Sequence, residues 1–106
     1  MSETTRMEIS PEYLADIRGY LRITTSALDG EVKDLVNAAR DDLVLGGVLP
    51  ERVIDEEDPL IKRAISVYVK AEFGLDNDDS VKYQESYESL KIRLMHSERY
   101  IKEEGA

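Results

Sequence analysis

Residues 27–45, ALDGEVKDLVNAARDDLVL, decide the fold. Leu28, Val32, Leu35, Val36, Ala39 and Leu43 fall three or four residues apart, so a helix carries them on one continuous apolar face. Asp29, Lys33, Asn37, Arg40 and Asp41 fall on the opposite face. Ser26 followed by Asp29 has the form of a capping box, with an aspartate as the acid. Gly46-Gly47 supplies residues that accept positive φ and commonly end a helix. This spacing predicts a long second helix from Ala27 to Leu45.

Upstream, Ile9-Ser10-Pro11 reads as a helix start: Ser10 caps free amides, Pro11 suits the first turn, and Ile9 staples against Leu14. Leu14, Ile17 and Leu21 then keep helical spacing, flanked by Tyr13 and Tyr20, until Thr24-Thr25 weaken the pattern. Downstream, Val48-Leu49-Pro50 opens a loop with room for one short turn, ending in the acidic run Asp55-Glu56-Glu57-Asp58. Asp58-Pro59 repeats the cap-then-proline start. Leu60, Ile61, Ala64, Ile65, Tyr68, Val69 and Ala71 then cover more than one face, which predicts a central, buried third helix.

Gly74 is placed to stop that helix, before the polar turn Leu75 to Asp79. Tyr83, Tyr87, Leu90, Leu94 and Ile101 keep a seven-residue rhythm interrupted at Ser97, predicting a long fourth helix from Val81 to Lys102. Strand alternation, hairpin turns and repeats are missing from the pattern. The expected fold is therefore all-α, a small bundle of about four helices. One domain is expected over residues 10–103, between flexible segments 1–9 and 104–106.

Composition narrows the function. Fourteen basic against twenty-three acidic residues give a formal charge of −9, which opposes phosphate neutralisation as a binding mode. Cysteine is absent, so neither disulfides nor thiolate metal sites contribute. The first ten residues have no apolar core of signal-peptide length. The most apolar stretch, residues 64–73, falls far short of the ~20 residues a membrane helix needs, so no membrane role is expected.

Catalysis lacks its usual parts. His96 is the only histidine, so one chain can build neither a triad nor a two-histidine metal site, and its ordinary reading is a solvated helix residue. No glycine-rich phosphate loop or nucleophile elbow is present. Asp76-Asn77-Asp78 looks like the start of a calcium loop, but Val81 stands at its sixth position and Tyr87 at its twelfth, where glycine and glutamate are required. Asp55 to Asp58 reads as a solvated loop whose last acid caps a helix, ahead of a weak magnesium site. No enzyme, metal or cofactor is expected. Six tyrosines against one phenylalanine and no tryptophan suit either a wet core rim or a contact with other subunits, and Tyr100 is the better interface candidate.

Four segments carry a resemblance: residues 14–23 (LADIRGYLRI), residues 27–43 (ALDGEVKDLVNAARDDL), the start Asp58-Pro59-Leu60-Ile61-Lys62-Arg63-Ala64-Ile65, and residues 83–100 (YQESYESLKIRLMHSERY). Together the chain resembles the tailed-phage head-to-tail connector (adaptor) family, also known as phage DNA-packaging proteins. The most specific part is Ser86-Tyr87-Glu88-Ser89-Leu90-Lys91, similar to a tyrosine-bearing closing helix of that family. Glu98-Arg99 stand where many relatives have a small residue or glycine, which leaves the path of the last residues open.

The resemblance implies a structural subunit of a homo-oligomeric ring, commonly twelve-fold. Such a ring docks beneath the portal protein and extends the DNA channel toward a stopper or head-completion protein and the tail. It implies a place at the head-tail interface of the virion, with assembly in the host cytoplasm, and passing genomic DNA that is not read by sequence. On that reading, Tyr87, Leu94 and Tyr100 are candidates to pack the fourth helix against its own subunit, a neighbour or the portal. Asp55, Glu56, Glu57 and Asp58 are candidates to face the channel or an adjacent ring, where their charge would repel phosphates. A competing reading is a small helical regulatory or adaptor domain that binds one protein partner in a groove beside the fourth helix.

Overall fold

The structure, a computed structural model, describes residues 8–73 and 79–103. Every regular element among them is a helix: α1 (Pro11–Leu21), α2 (Asp29–Gly46), α3 (Pro50–Val53), α4 (Pro59–Glu72), α5 (Ser80–Met95) and α6 (Glu98–Ile101). The fold is all-α, with four long helices and two single turns. Of the segments expected to be flexible, residues 1–7 and 104–106 lie outside the described residues, whereas Ile9 is buried. Gly74 and Asp76 to Asp78 also lie outside them.

Local chemistry accounts for most helix ends. Ser10 Oγ accepts the Tyr13 amide at 3.1 Å, Pro11 occupies the first turn, and Ile9 and Leu14 are both buried. Helix α1 stops at Leu21, before the threonines, because Arg22 adopts φ 62. The amides of Ile23 and Arg22 then bond the carbonyls of Arg18 and Gly19, which satisfies the last turn in a Schellman arrangement. Helix α2 ends the same way: Gly47 at φ 119 and buried Val48 send their amides to Val44 and Leu43.

Two boundaries differ from expectation. The capping box at Ser26 and Asp29 does not form, and α2 starts without a side-chain cap. Arg18 donates to both oxygens of Asp29 at 3.0 and 2.9 Å, so this carboxylate ties α2 to α1 while still lying at the positive end of the α2 dipole. The expected continuous fourth helix is broken. Helix α5 ends at Met95, Ser97 is extended (φ −105, ψ 121), and α6 restarts as one turn. The break redirects the chain so that the Tyr100 carbonyl accepts the Leu49 amide at 2.8 Å.

Helix α4 is the central element and packs on α1, α2 and α5. It contributes Ile61, Ala64, Ile65, Val67, Val69 and Ala71 to a core completed by Ile17 of α1 and Val32, Val36, Ala39 and Leu43 of α2. Each fully buried large aliphatic side chain contributes roughly 1.5–3 kcal/mol. Helices α4 and α5 run antiparallel, with Glu72 near Gln84 and the Tyr68 and Tyr87 rings edge to face at 5.0 Å.

Candidate assembly surface

Tyr87, Leu94 and Tyr100, the side chains singled out for an interface, are all buried within the subunit. Their packing joins α5 and α6 to the subunit's own core, so they present almost no surface to a neighbour or a portal. The Tyr100 hydroxyl donates to Asp58 Oδ1 at 3.1 Å. The Tyr87 hydroxyl donates to Asp42 Oδ2 at 2.6 Å, and the Lys91 ammonium donates to the same oxygen at 3.0 Å. Burial raises both hydroxyl pKa values, and the carboxylate that each hydroxyl faces raises them further.

The acidic run does not act as one patch. Asp58 is buried, accepts the Leu60 and Ile61 amides at 2.9 and 3.1 Å, and starts α4. Glu56 is half-buried: it accepts the Ser10 amide at 2.9 Å and the Ser10 hydroxyl, and lies 3.9 Å from the Arg40 guanidinium. Only Asp55 and Glu57 are exposed. Two of the four channel-facing candidates are therefore structural ties, because a carboxylate beside free amides or a buried cation is held there.

Arg40, read as part of the polar face of α2, is only 1% exposed. Burial lowers its pKa, while nearby Tyr13 and Glu56 oppose that shift. Asp29, Lys33 and Asp41 lie at or near the surface as expected. His96 is exposed, with Nδ1 2.8 Å from the Ile92 carbonyl. Among the described residues, no group of three or more histidine, cysteine, aspartate or glutamate side chains is placed to hold a metal. No helix of the described residues is long and apolar enough to cross a membrane.

What the surface does offer is a groove between α5, the C-terminal half of α4 and Asp42 of α2. Val81 and Ile92, 62% and 53% exposed, line it together with the acids Glu72, Glu85 and Glu88. A groove beside the fourth helix is part of the competing sequence reading, but its lining residues were not legible, because Val81 and Ile92 lie off the seven-residue seam of that helix. Their signal was present as apolar residues on an otherwise charged face.

These features define a class of protein: a small helical unit whose polar side chains cap helices and tie segments, and whose conspicuous surface feature suits contact with another macromolecule. The sequence family described as phage connector protein matches residues 13–101, and the chain belongs to that family. Neither the curated proteins nor the solved structures gave a match. Family membership gives the chain a structural role as a connector among phage head and tail proteins.

Proposed function

We propose that the chain is the repeating subunit of a head-to-tail connector ring that docks beneath the portal and extends the DNA channel toward the stopper and tail. The family match over residues 13–101 carries this reading. A ring, twelve-fold if it follows its portal, needs two different side surfaces on every subunit, since a head-to-tail contact closes by rotation. The subunit acts in the virion after assembly in the host cytoplasm.

The charge of −9 supports passage of DNA without binding it. Exposed Asp55 and Glu57 would add local repulsion if their loop faces the lumen. Native mass spectrometry of the protein mixed with the portal of its own phage tests the reading. A complex with about one copy per portal subunit is expected. No association over a wide range of salt and concentration would overturn it in favour of a single-partner adaptor.

A further inference from the structure

The acidic groove has a chemical complement on the same chain. At the N-terminal end of α4, Leu60 is 50% exposed, and neighbouring Arg63 is exposed and forms no ion pair among the described residues. Arg99 of α6 joins them, exposed and 3.8 Å from Asp58, the residue that caps α4. Lys62 is turned away, paired with Asp16 of α1. This corner carries Leu60, Arg63 three residues on along the same helix face, and Arg99 held beside the Asp58 cap.

The groove has the opposite character. Val81 and Ile92 provide exposed apolar surface, and Asp42, Glu72, Glu85 and Glu88 surround it with no basic residue in its lining. Asp42 is already engaged by Lys91, which leaves three glutamates as the outward charge. Glu72 belongs to the last turn of α4 and Leu60 to the first, about 18 Å apart at ~1.5 Å per residue. The corner and the Glu72 end of the groove are thus at opposite ends of one rigid element.

We propose that the groove receives the Leu60–Arg63–Arg99 corner of a neighbouring copy of this chain, as the side-to-side contact of the connector ring. The inference rests on the ring reading above and assigns its surfaces. Charge decides the geometry: a two-fold contact of groove on groove would bring the glutamates of both copies together, whereas groove on corner pairs them with arginines. Leu60 would cover Val81 and Ile92, removing apolar surface that the isolated subunit leaves in water. Because corner and groove remain free at the two ends of any open chain of copies, the contact propagates, and the portal beneath which the copies dock supplies the symmetry that closes it into a ring.

The chain has no cysteine, so thiol crosslinking can be made site-specific. Two variants, Leu60→Cys and Ile92→Cys, one carrying a mass tag, are mixed with the portal protein and treated with a short bifunctional thiol crosslinker. The expected result is a mixed 60-to-92 product dominating over both symmetric products. Glu85→Arg with Glu88→Arg on the Ile92→Cys chain should lower its yield about tenfold, and Arg63→Glu on the other chain should restore it. Oligomers on the portal without the mixed product, a dominant symmetric product, or links from position 92 to the portal would each overturn the assignment while leaving the ring intact. Failure to form any oligomer, in the parallel native mass spectra, would overturn the ring reading and this contact together.

Discussion

The hydroxyl of Tyr100 donates to the carboxylate of Asp58 at 3.1 Å, inside the subunit, across forty-two positions of chain. The oxygen it meets, Oδ1, also accepts the first free amides of α4, so a single buried atom joins the start of the central helix to the last turn of the domain. Tyr100→Phe keeps the ring and removes one bond to a charged acceptor. It should cost about 1.5–3 kcal/mol, read from denaturant midpoints at unchanged m-value. Asp58→Ala removes the cap as well and should cost more. Equal losses for the two would mean that the hydroxyl, and not the cap, holds this corner together.

Helix starts were legible because capping is local. Ser10-Pro11 and Asp58-Pro59 each place an acceptor beside free amides within three residues, and both starts form where the pattern puts them. Three features depended on distant residues and were not legible. Asp29 leaves its capping role because Arg18 of another helix claims it. Arg40 is buried because Glu56 and Tyr13 arrive from other segments to surround it, which periodicity within α2 does not encode. Tyr100 reads as a surface aromatic until the break at Ser97 swings it beneath the Asp58 cap. For the assembly surface, the acidic run was visible in sequence, but its division into buried ties and exposed acids depends on which amides and cations lie nearby.

That division makes Glu56 and its neighbour Glu57 very different residues. Glu56→Ala removes the acceptor of the Ser10 amide and hydroxyl and leaves Arg40 buried beside one fewer opposing charge. A loss of about 2–4 kcal/mol is expected, with early exposure of the α1 N-terminus in amide exchange. Exposed Glu57→Ala should stay within about 0.5 kcal/mol of the parent. A Glu56 variant as stable as the Glu57 variant would show that the α1 clasp contributes nothing.

Alkaline pH should unfold the protein through its tyrosines. Burial raises the hydroxyl pKa of Tyr13, Tyr68, Tyr87 and Tyr100 above the ordinary 10.0. The folded state keeps these protons where the unfolded chain releases them. Their stabilising effect is complete below pH 10 and is lost as pH rises through the folded-state values. Denaturant midpoints should therefore hold steady up to about pH 10 and fall beyond it, with tyrosinate absorbance appearing together with loss of helix. Tyr87→Phe should lower stability at neutral pH, by removing the bond to Asp42, and should flatten the alkaline decline. Gradual ionisation of all tyrosines without loss of helix would contradict the buried placement.

The adjacent glycines that end α2 should respond differently to the same methyl group. Gly47 sits at φ 119, and a Cβ there meets no neighbouring atom, so Gly47→Ala is penalised by backbone conformation alone, at roughly 1–2 kcal/mol. Gly46 is helical, and its Cβ would stand 2.9 Å from Lys91 Cε and 3.0 Å from Met95 Sδ. Both are far ends of flexible side chains that can shift. A gain of about 0.5–1 kcal/mol in helix preference is therefore set against a small packing loss, leaving Gly46→Ala near neutral. A shift of Lys91 that lengthens its 3.0 Å bond to Asp42 would make the charge lining the α4–α5 groove more negative. Thermal midpoints of the two variants test the backbone argument. The salt dependence of oligomer formation by Gly46→Ala, steeper than in the parent, tests whether Lys91 tempers the charge of that groove.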